Sequence, residues 1–277
     1  MIKTNVINFA FLQLRNMKNE AMNMNIGFIG TGKISSALVQ AFCIADLAGL
    51  RIHLSPRNEK VSDALSKKFK QVSRLSGNQD VIDNSELLFI ALRPDDYNEA
   101  LSSLVFRADQ RVISLVPNLK YQELAALVAP AKKLCRAIPL PTVVNLVCPI
   151  PVYKPDGAIL ELLGKIGQTL VIEEENQLHT IWTLTGLITP FYDLLGELSL
   201  WSNKNGVEQK LADKYVADMF NSLAYAASIS EEPDFESLSR HAATPGGLNE
   251  KAGMEIRKSG AHKEYTQSAD RILKRFH

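Results

Sequence analysis

The chain has 277 residues, 46% of them hydrophobic, and its 31 basic and 30 acidic residues give a formal net charge of +1. This length builds one large or two modest domains, and balanced charge without a basic stripe argues against binding to nucleic acid. The three cysteines, Cys43, Cys135 and Cys148, form no C-x-x-C pair and have no histidine at ligand spacing, which argues against a metal site. Composition therefore predicts a soluble cytoplasmic enzyme with reduced thiols.

The first 23 residues precede the first predicted strand, and their short apolar stretch is interrupted by Asn8 and Gln13. A secretory signal needs a longer apolar core, and a transmembrane helix needs about 20 apolar residues, so we expect no membrane segment here. Two explanations remain open. Either the start is assigned too early, with Met22 or Met24 as the functional start, or the segment forms a short surface helix.

A glycine turn between a strand and a helix is the most informative feature of the chain. Residues 26–29 are typical of a buried strand, Gly30 and Gly32 follow, and a helix begins near Ile34. In the G-x-G-x-x-G/A pattern the glycines permit the turn and the close approach of a pyrophosphate, which binds the free amides of the helix. Ser35 stands at the third small position, where it is one atom larger than alanine. The pattern predicts a dinucleotide site; the alternative is a glycine turn of an unrelated α/β protein.

The second predicted strand, residues 51–55, indicates which dinucleotide binds. Proteins that bind NAD usually end this strand with an acidic residue that hydrogen-bonds the ribose 2′-hydroxyl. No acidic residue stands there, and the loop instead offers Ser55, Arg57 and Asn58, which suit a 2′-phosphate. We therefore expect NADP rather than NAD, the alternative being an ordinary polar loop with a solvated arginine.

The next segments alternate between strand and helix patterns. Strands are predicted at residues 86–92, 111–115, 133–137 and 170–172, and helices at 96–104 and 121–128. This alternation predicts a parallel sheet with crossover helices that extends to about residue 172. Ligands bind at the carboxyl ends of such strands, where Pro94, Pro117 and Pro139 occur. Each proline alone is an ordinary strand stop, but together they favour a cofactor groove.

From residue 173 the strand patterns end and long helical patterns follow. One helix is predicted over residues 177–200, interrupted near Gly186 and Pro190, and another over residues 206–227. The second helix has apolar residues four positions apart: Val207, Leu211, Tyr215, Met219 and Leu223. So broad an apolar stripe predicts a homodimer interface. The expected organisation is an extension (1–23), a dinucleotide-binding Rossmann-type α/β domain (24–172) and an all-helical dimerisation and substrate domain (173–277).

Six motifs occur in an order that resembles the pyrroline-5-carboxylate reductase family: IGFIGTGKISSAL, LLFIALRPDD, RVISLVPNL, CRAIPLPTVV, HTIWTLTGLITPFYDLLGEL and ATPGGLNEKAG. The resemblance covers nearly the whole chain from Met24 onward. It implies a Rossmann domain that binds NADPH and a helical domain that forms a homodimer or a larger oligomer. It also implies that a cyclic imine is reduced at the dimer interface.

The resemblance assigns residues by position. The cofactor residues are expected to be Gly30, Thr31, Gly32, Lys33, Ile34, Ser55, Arg57, Asn58, Ala91, Leu92, Arg93, Pro94 and Pro139. The substrate residues are expected to be Thr244, Pro245, Gly246, Gly247, Leu248 and Asn249, with Thr189, Thr244 and Asn249 as catalytic candidates. Two adjacent glycines allow backbone amides to converge on a substrate carboxylate.

The chain departs from the family pattern where substrate is handled. Leu140 replaces asparagine, Leu187 and Ile188 replace serine and glycine, and Leu248 and Asn249 replace two threonines. Because hydroxyls are lost and apolar bulk is gained, we expect a reductase of an imine, or of a carbonyl, whose substrate is larger or more apolar than pyrroline-5-carboxylate. Two alternatives stay open: an NADP-binding sensor or partner-binding protein without catalysis, and a true pyrroline-5-carboxylate reductase of proline biosynthesis. Hydride transfer requires no Ser/His/Asp array. His241, near Thr244, is either a proton donor or an ordinary histidine.

Overall fold

The computed structural model describes residues 22–230 and 233–276. The expectations about the N-terminal extension concern residues that lie almost entirely outside this range. The contacts divide the chain into two compact units, one that ends at Trp182 and one that begins at Thr183. Among the helices of the described residues, none combines the length and the apolar character that a membrane crossing requires.

An eight-stranded sheet forms the centre of the first unit, with the strands in the order β3-β2-β1-β4-β5-β6-β7-β8. The strands are β1 (Met24–Ile29), β2 (Leu50–Leu54), β3 (Val72–Arg74), β4 (Leu87–Ile90), β5 (Arg111–Ser114), β6 (Lys133–Ala137), β7 (Cys148–Tyr153) and β8 (Gly167–Ile172). The helices of this part are α1 (Lys33–Ile44), α2 (Glu59–Lys68), α3 (Asn78–Asp83), α4 (Tyr97–Ser102), α5 (Tyr121–Leu127), α6 (Gly157–Gly164) and α7 (Glu175–Leu184), which continues beyond Trp182. A 3₁₀ helix, Pro141–Asn145, precedes β7.

The central strands are apolar throughout because both faces of the sheet are covered. All four residues of β4 are buried, and Phe89 stacks on Phe28 of β1 with ring centroids 4.6 Å apart. On the face of Phe89 the core is built with α1, whereas the side chains of Leu88 and Ile90 pack in a second cluster on the other face. Such continuous burial is typical of parallel strands between helix layers.

The sheet is parallel from β3 to β6, but β7 runs antiparallel to β6 and parallel to β8. The sequence patterns predict no strands at β3 and β7. Strand β3 is too short to show a pattern, and β7 contains Pro149 and Pro151, which argue against a strand. Pro151 joins the ladder through its carbonyl, which accepts a hydrogen bond from the Ile138 amide at 3.0 Å. The Rossmann-type sheet followed by a helical region is confirmed, but the sheet is mostly rather than wholly parallel, because β7 runs antiparallel to β6.

The second unit is helical. After a 3₁₀ turn (Thr185–Leu187) come α8 (Ile188–Lys204), α9 (Gln209–Ser228), α10 (Phe235–Ala242), α11 (Leu248–Ser259) and α12 (Ala261–Leu273). Helices α8 and α9 pack against each other, and the break predicted near Gly186 is present. Apolar side chains of α8 and α9 are widely exposed, including Trp201 (64%) and Tyr215 (65%). This unit therefore leaves a large apolar surface uncovered in the single chain.

Candidate functional site

The turn after β1 has the backbone geometry that the glycine pattern predicts. Gly30 has a φ of +94°, and a Cβ there would lie 2.5 Å from the carbonyl oxygen of Ala91, just past β4. Two buried serines hold this residue: Ser55 Oγ accepts from the Gly30 amide at 2.9 Å, and Ser35 Oγ donates to the Gly30 carbonyl at 2.6 Å. Ser35, which is one atom larger than the alanine of the pattern, therefore uses that extra atom as a hydrogen-bond donor that holds the turn.

Gly32 is required neither by the backbone nor by packing. Its φ and ψ of −100° and −161° are extended, and across residues 22–230 and 233–276 no atom beyond its chain neighbours would lie within 4 Å of a Cβ there. The glycine instead leaves open space at the amino end of α1, whose first turn has Lys33 and no acidic residue. Free amides and a positive helix end are suited to an anion, so these residues fit a pyrophosphate group.

A groove of about 420 Å³ begins at this helix end. Its lining residues are Gly32, Lys33, Ser36, Ala37, Gln40, Asn58, Val61, Pro141 and Val144. The groove thus brings together three of the predicted cofactor residues, Gly32, Lys33 and Asn58. Its volume lies within the range of pockets that hold small ligands.

Ser55 and Arg57, the other two residues expected near a 2′-phosphate with Asn58, have different environments. Ser55 is fully buried, and its hydroxyl is used within the turn, where it also lies 3.4 Å from Thr31 Oγ1. Arg57 is exposed, and its Nη2 forms an ion pair with Oδ2 of Asp96 at 2.9 Å. Ser55 therefore shapes the turn, and Arg57 is the residue of this pair available to a ligand.

The expected residues at the ends of β4 and β6 lie at the same edge of the sheet as the turn. Leu92 is buried, and its Cδ2 would lie 3.2 Å from a Cβ at Gly30, while Arg93 and Pro94 are exposed. Pro139 is buried after β6, and Leu140 packs against the core with its amide 3.4 Å from Cys148 Sγ. Because these strands are parallel, the segments after β4 and β6 lie at the same edge of the sheet as the glycine turn, as we expect for a ligand site.

A buried arginine was missed in the sequence. The side chain of Arg136 in β6 has no exposed area; its Nη1 donates to Oε1 of Glu175 at 2.6 Å and lies 2.8 Å from His179 Nε2. Its Nη2 donates to the Pro117 carbonyl at 2.6 Å, and the guanidinium carbon lies 5.5 Å from the centre of the Trp182 ring. The sequence signal that could have identified it is a charged residue in the otherwise apolar interior of a strand.

Glu175 completes this network, because its Oε1 also accepts from the Tyr121 amide at 2.7 Å. Glu175 is the first residue of α7, and its carboxylate is an ion-pair partner of Arg136. Burial lowers the pKa of Arg136, and the hydrogen bond to Glu175 opposes that shift. The network joins the ends of β5 and β6 to the amino ends of α5 and α7.

The three cysteines are buried, and their thiols are poor nucleophiles. Burial raises the pKa of Cys43 to about 12 and also raises the pKa values of Cys135 and Cys148. Across residues 22–230 and 233–276, no three His, Cys, Asp or Glu side chains gather closely enough to hold a metal ion.

The proposed substrate loop lies between α10 and α11 in the helical unit. The Gly247 amide donates to the Thr244 carbonyl at 2.8 Å, and the Gly246 amide donates to Oε2 of Glu250 at 2.7 Å. Asn249 Nδ2 braces the loop by donating to the Ala242 carbonyl at 2.8 Å. Leu248 is 86% exposed. The Gly246 amide, which was expected to bind a substrate carboxylate, therefore already donates to the carboxylate of Glu250.

A second groove, of about 600 Å³, adjoins this loop. Its lining residues are Glu236, Ser239, Arg240, Ala243, Pro245, Asn249, Glu250, Gly253 and Arg257. Of the expected substrate residues, Pro245 and Asn249 belong to it, while Thr189 lies exposed on α8. His241 Nδ1 lies 3.2 Å from Ser237 Oγ, one helical turn earlier, as in an ordinary helix histidine.

Known proteins match this chain over most of its length. A family model described as NADP oxidoreductase, coenzyme F420-dependent, matches residues 25–118. The pyrroline-5-carboxylate reductase of Haemophilus influenzae is 23% identical over 234 residues, which cover 80% of this chain and 85% of that protein.

Two solved structures extend the comparison to the fold. Pyrroline-5-carboxylate reductase from Streptococcus pyogenes matches with a TM-score of 0.79 at 20% identity, over 91% of this chain and 98% of that chain. The Plasmodium falciparum pyrroline carboxylate reductase with NADP bound matches with a TM-score of 0.79 at 16% identity, over 93% and 98% of the two chains. The resemblance indicated by the motifs is thereby confirmed.

Proposed function

Starting from this divergent relationship to the pyrroline-5-carboxylate reductases, we propose that the chain is an NADPH-dependent reductase of C=N bonds. The observation that carries the proposal is the turn at Gly30 and Gly32, where two buried serines fix the backbone and open space remains at the helix end. Two relationships support NADP as the cofactor: the Plasmodium falciparum relative was solved with NADP bound, and the matching family model describes NADP oxidoreductases.

The chain's own residues have distinct roles in this proposal. Residues 30–34 hold the pyrophosphate, Arg57 and Asn58 bind the 2′-phosphate, and residues 91–94 with Pro139 line the nicotinamide half. Ser55 acts through Gly30, because its hydroxyl accepts the Gly30 amide. When bound, NADPH supplies the hydride, and a protonated imine needs positioning more than it needs a catalytic base.

For the substrate we propose a cyclic imine positioned by residues 244–249, with Thr189, Thr244 and Asn249 as the polar candidates. Two features support a substrate that differs from pyrroline-5-carboxylate. Leu140, Leu187, Ile188 and Leu248 are apolar where the family has polar or small residues. In addition, the Glu250 carboxylate already accepts from the Gly246 amide, so a second carboxylate there would be repelled. An imine without a carboxylate fits this loop better.

We also propose that the enzyme is a cytoplasmic homodimer or larger homo-oligomer formed by the helical unit. The support is the apolar surface of α8 and α9, which includes Phe191, Trp201, Leu211, Tyr215 and Leu223 and is exposed in the single chain. Several exposed apolar side chains on two helices that pack together are typical of association sites. Light scattering at several protein concentrations tests this proposal, and a monomer at all of them would contradict it.

The function is tested by titrating the purified protein with NADPH and NADH, followed by turnover assays. Pyrroline-5-carboxylate and 1-pyrroline, which has the same ring without the carboxylate, are the matched substrates. We expect NADPH to bind more tightly and 1-pyrroline to be reduced more efficiently. Rapid turnover of pyrroline-5-carboxylate and rescue of a proline auxotroph would support proline synthesis instead. NADPH binding without reduction of these or bulkier imines would support a sensor, and failure to bind either nucleotide would refute the reductase.

A further inference from the structure

We propose that Asp96 is a specificity-determining residue that weakens the preference for NADPH over NADH, because it competes with the 2′-phosphate for Arg57. This inference rests on the proposed function, since it assumes that the turn after β1 binds a nicotinamide dinucleotide. It concerns a residue to which neither the sequence patterns nor the comparisons assign a role.

The order of the strands brings Arg57 and Asp96 to the same place. Strands β2 and β4 flank β1 in the parallel sheet, so their carboxyl ends lie on either side of the glycine turn. Arg57 follows β2, and Asp96 follows β4. The 2.9 Å ion pair therefore connects the two segments that border the pyrophosphate position.

The two partners of this ion pair differ in their freedom to move. The side chain of Asp96 is 29% exposed, and its residue is anchored because its amide donates to the Arg93 carbonyl and its own carbonyl accepts from the Ala100 amide. The Arg57 side chain is 60% exposed and extends from a loop. Arg57 is thus the partner that can reorient toward a ligand, while Asp96 stays beside it.

The charges of the two cofactors decide how Asp96 affects each of them. A guanidinium that binds a phosphate through two hydrogen bonds must give up or share its carboxylate partner. NADH has a hydroxyl at this position and leaves the ion pair intact. Asp96 therefore penalises NADPH and not NADH.

The test measures dissociation constants for NADPH and NADH by fluorescence titration, with Asp96→Asn as the central variant. Asparagine keeps the size of the side chain, and Asp96 makes no side-chain hydrogen bond as the cap of α4, so the helix start is preserved. Because the pair is partly exposed, we expect Asp96→Asn to tighten NADPH binding by about two- to fivefold and to leave NADH unchanged. Asp95→Asn removes an equal charge from the exposed neighbouring residue and is the matched control.

A double-mutant cycle with Arg57→Ala separates competition from direct repulsion. We expect Arg57→Ala to weaken NADPH binding, and Asp96→Asn to have little further effect in that background. An equal gain with and without Arg57 would overturn the competition, because Asp96 would then act on the phosphate alone. Unchanged or weaker NADPH binding by Asp96→Asn, or an equal gain by Asp95→Asn, would also overturn it. If the unmodified protein binds neither nucleotide, the proposed function fails instead.

Discussion

Replacing Ser35 by alanine is a sharp test of how the glycine turn is built. The pattern G-x-G-x-x-G/A accepts alanine at this position, so the sequence alone predicts a neutral or favourable change. The structure predicts the opposite. Ser35 is fully buried, and its hydroxyl donates to the Gly30 carbonyl at 2.6 Å, so alanine removes a donor from a buried acceptor.

Two contributions of opposite sign set the magnitude. The loss of a buried hydrogen bond with one partner left behind costs about 1–3 kcal/mol. Alanine has the better helix propensity and returns about 0.5 kcal/mol at this position in the first turn of α1. The net expectation is a decrease of about 0.5–2.5 kcal/mol in the free energy of unfolding. NADPH binding should weaken as well, because the Gly30 peptide groups lose one of their two serine contacts.

The assay is denaturant unfolding of the full chain, combined with NADPH titration. Ser36→Ala is the matched control for the unfolding measurement, since it makes the same exchange one residue later in the same helix. The Ser36 hydroxyl accepts a long hydrogen bond, 3.3 Å, from Gln40 Nε2, and we expect its loss to change stability by less than about 0.5 kcal/mol. A Ser35→Ala protein as stable as the unmodified chain would refute the role assigned to this hydroxyl.

Three further expectations concern charged and titratable groups. Glu175→Gln leaves the fully buried Arg136 guanidinium without its counter-charge and should lower stability by about 3–5 kcal/mol in chemical unfolding, whereas Arg136→Met leaves a carboxylate that is 23% exposed to water and should do less harm. Burial and Arg51 lower the pKa of His53 in the folded state, so the unfolded chain binds more protons in acid. Stability should therefore fall as the pH drops below about 6.5, and unfolding curves of His53→Gln should lack this component. Glu250→Gln should lower the KM for pyrroline-5-carboxylate several-fold while leaving that for 1-pyrroline unchanged; equal effects on both would exclude a carboxylate-specific role.

Local patterns predicted the strands and the turn wherever burial imposes a continuous signal. Strand β4 is apolar at every position because helices cover both faces, and Gly30 is a glycine because its φ is positive and its neighbour is the Ala91 carbonyl. Strand β7 was not predicted, because a proline has no amide hydrogen to donate within a sheet and its two prolines therefore argue against a strand. In the structure Pro151 pairs through its carbonyl, which requires no amide hydrogen.

Pairings between distant residues could not be obtained in this way. Arg136 and Glu175 are 39 positions apart and become partners only when β6 and α7 pack together. Arg57 and Asp96 likewise meet across the end of β1. The sequence identified Arg57 as a phosphate-binding candidate by its chemistry. It could not identify Asp96, which competes for the Arg57 guanidinium, because the order of the strands brings the two residues together. The hydroxyl of Ser35 was assessed by its size because the carbonyl that accepts its proton is visible only in three dimensions.

The empty space around Gly32 separates the demands of folding from those of binding at a single position. A Cβ there would meet no atom within 4 Å among the residues that the structure describes, and the backbone is in an ordinary extended conformation, so the fold itself tolerates a small side chain. In a lineage that stopped using the nucleotide, residue 32 would be free to drift, whereas Gly30 would stay fixed by its backbone. The identity of residue 32 in related chains is therefore a record of whether their ancestors continued to depend on the cofactor.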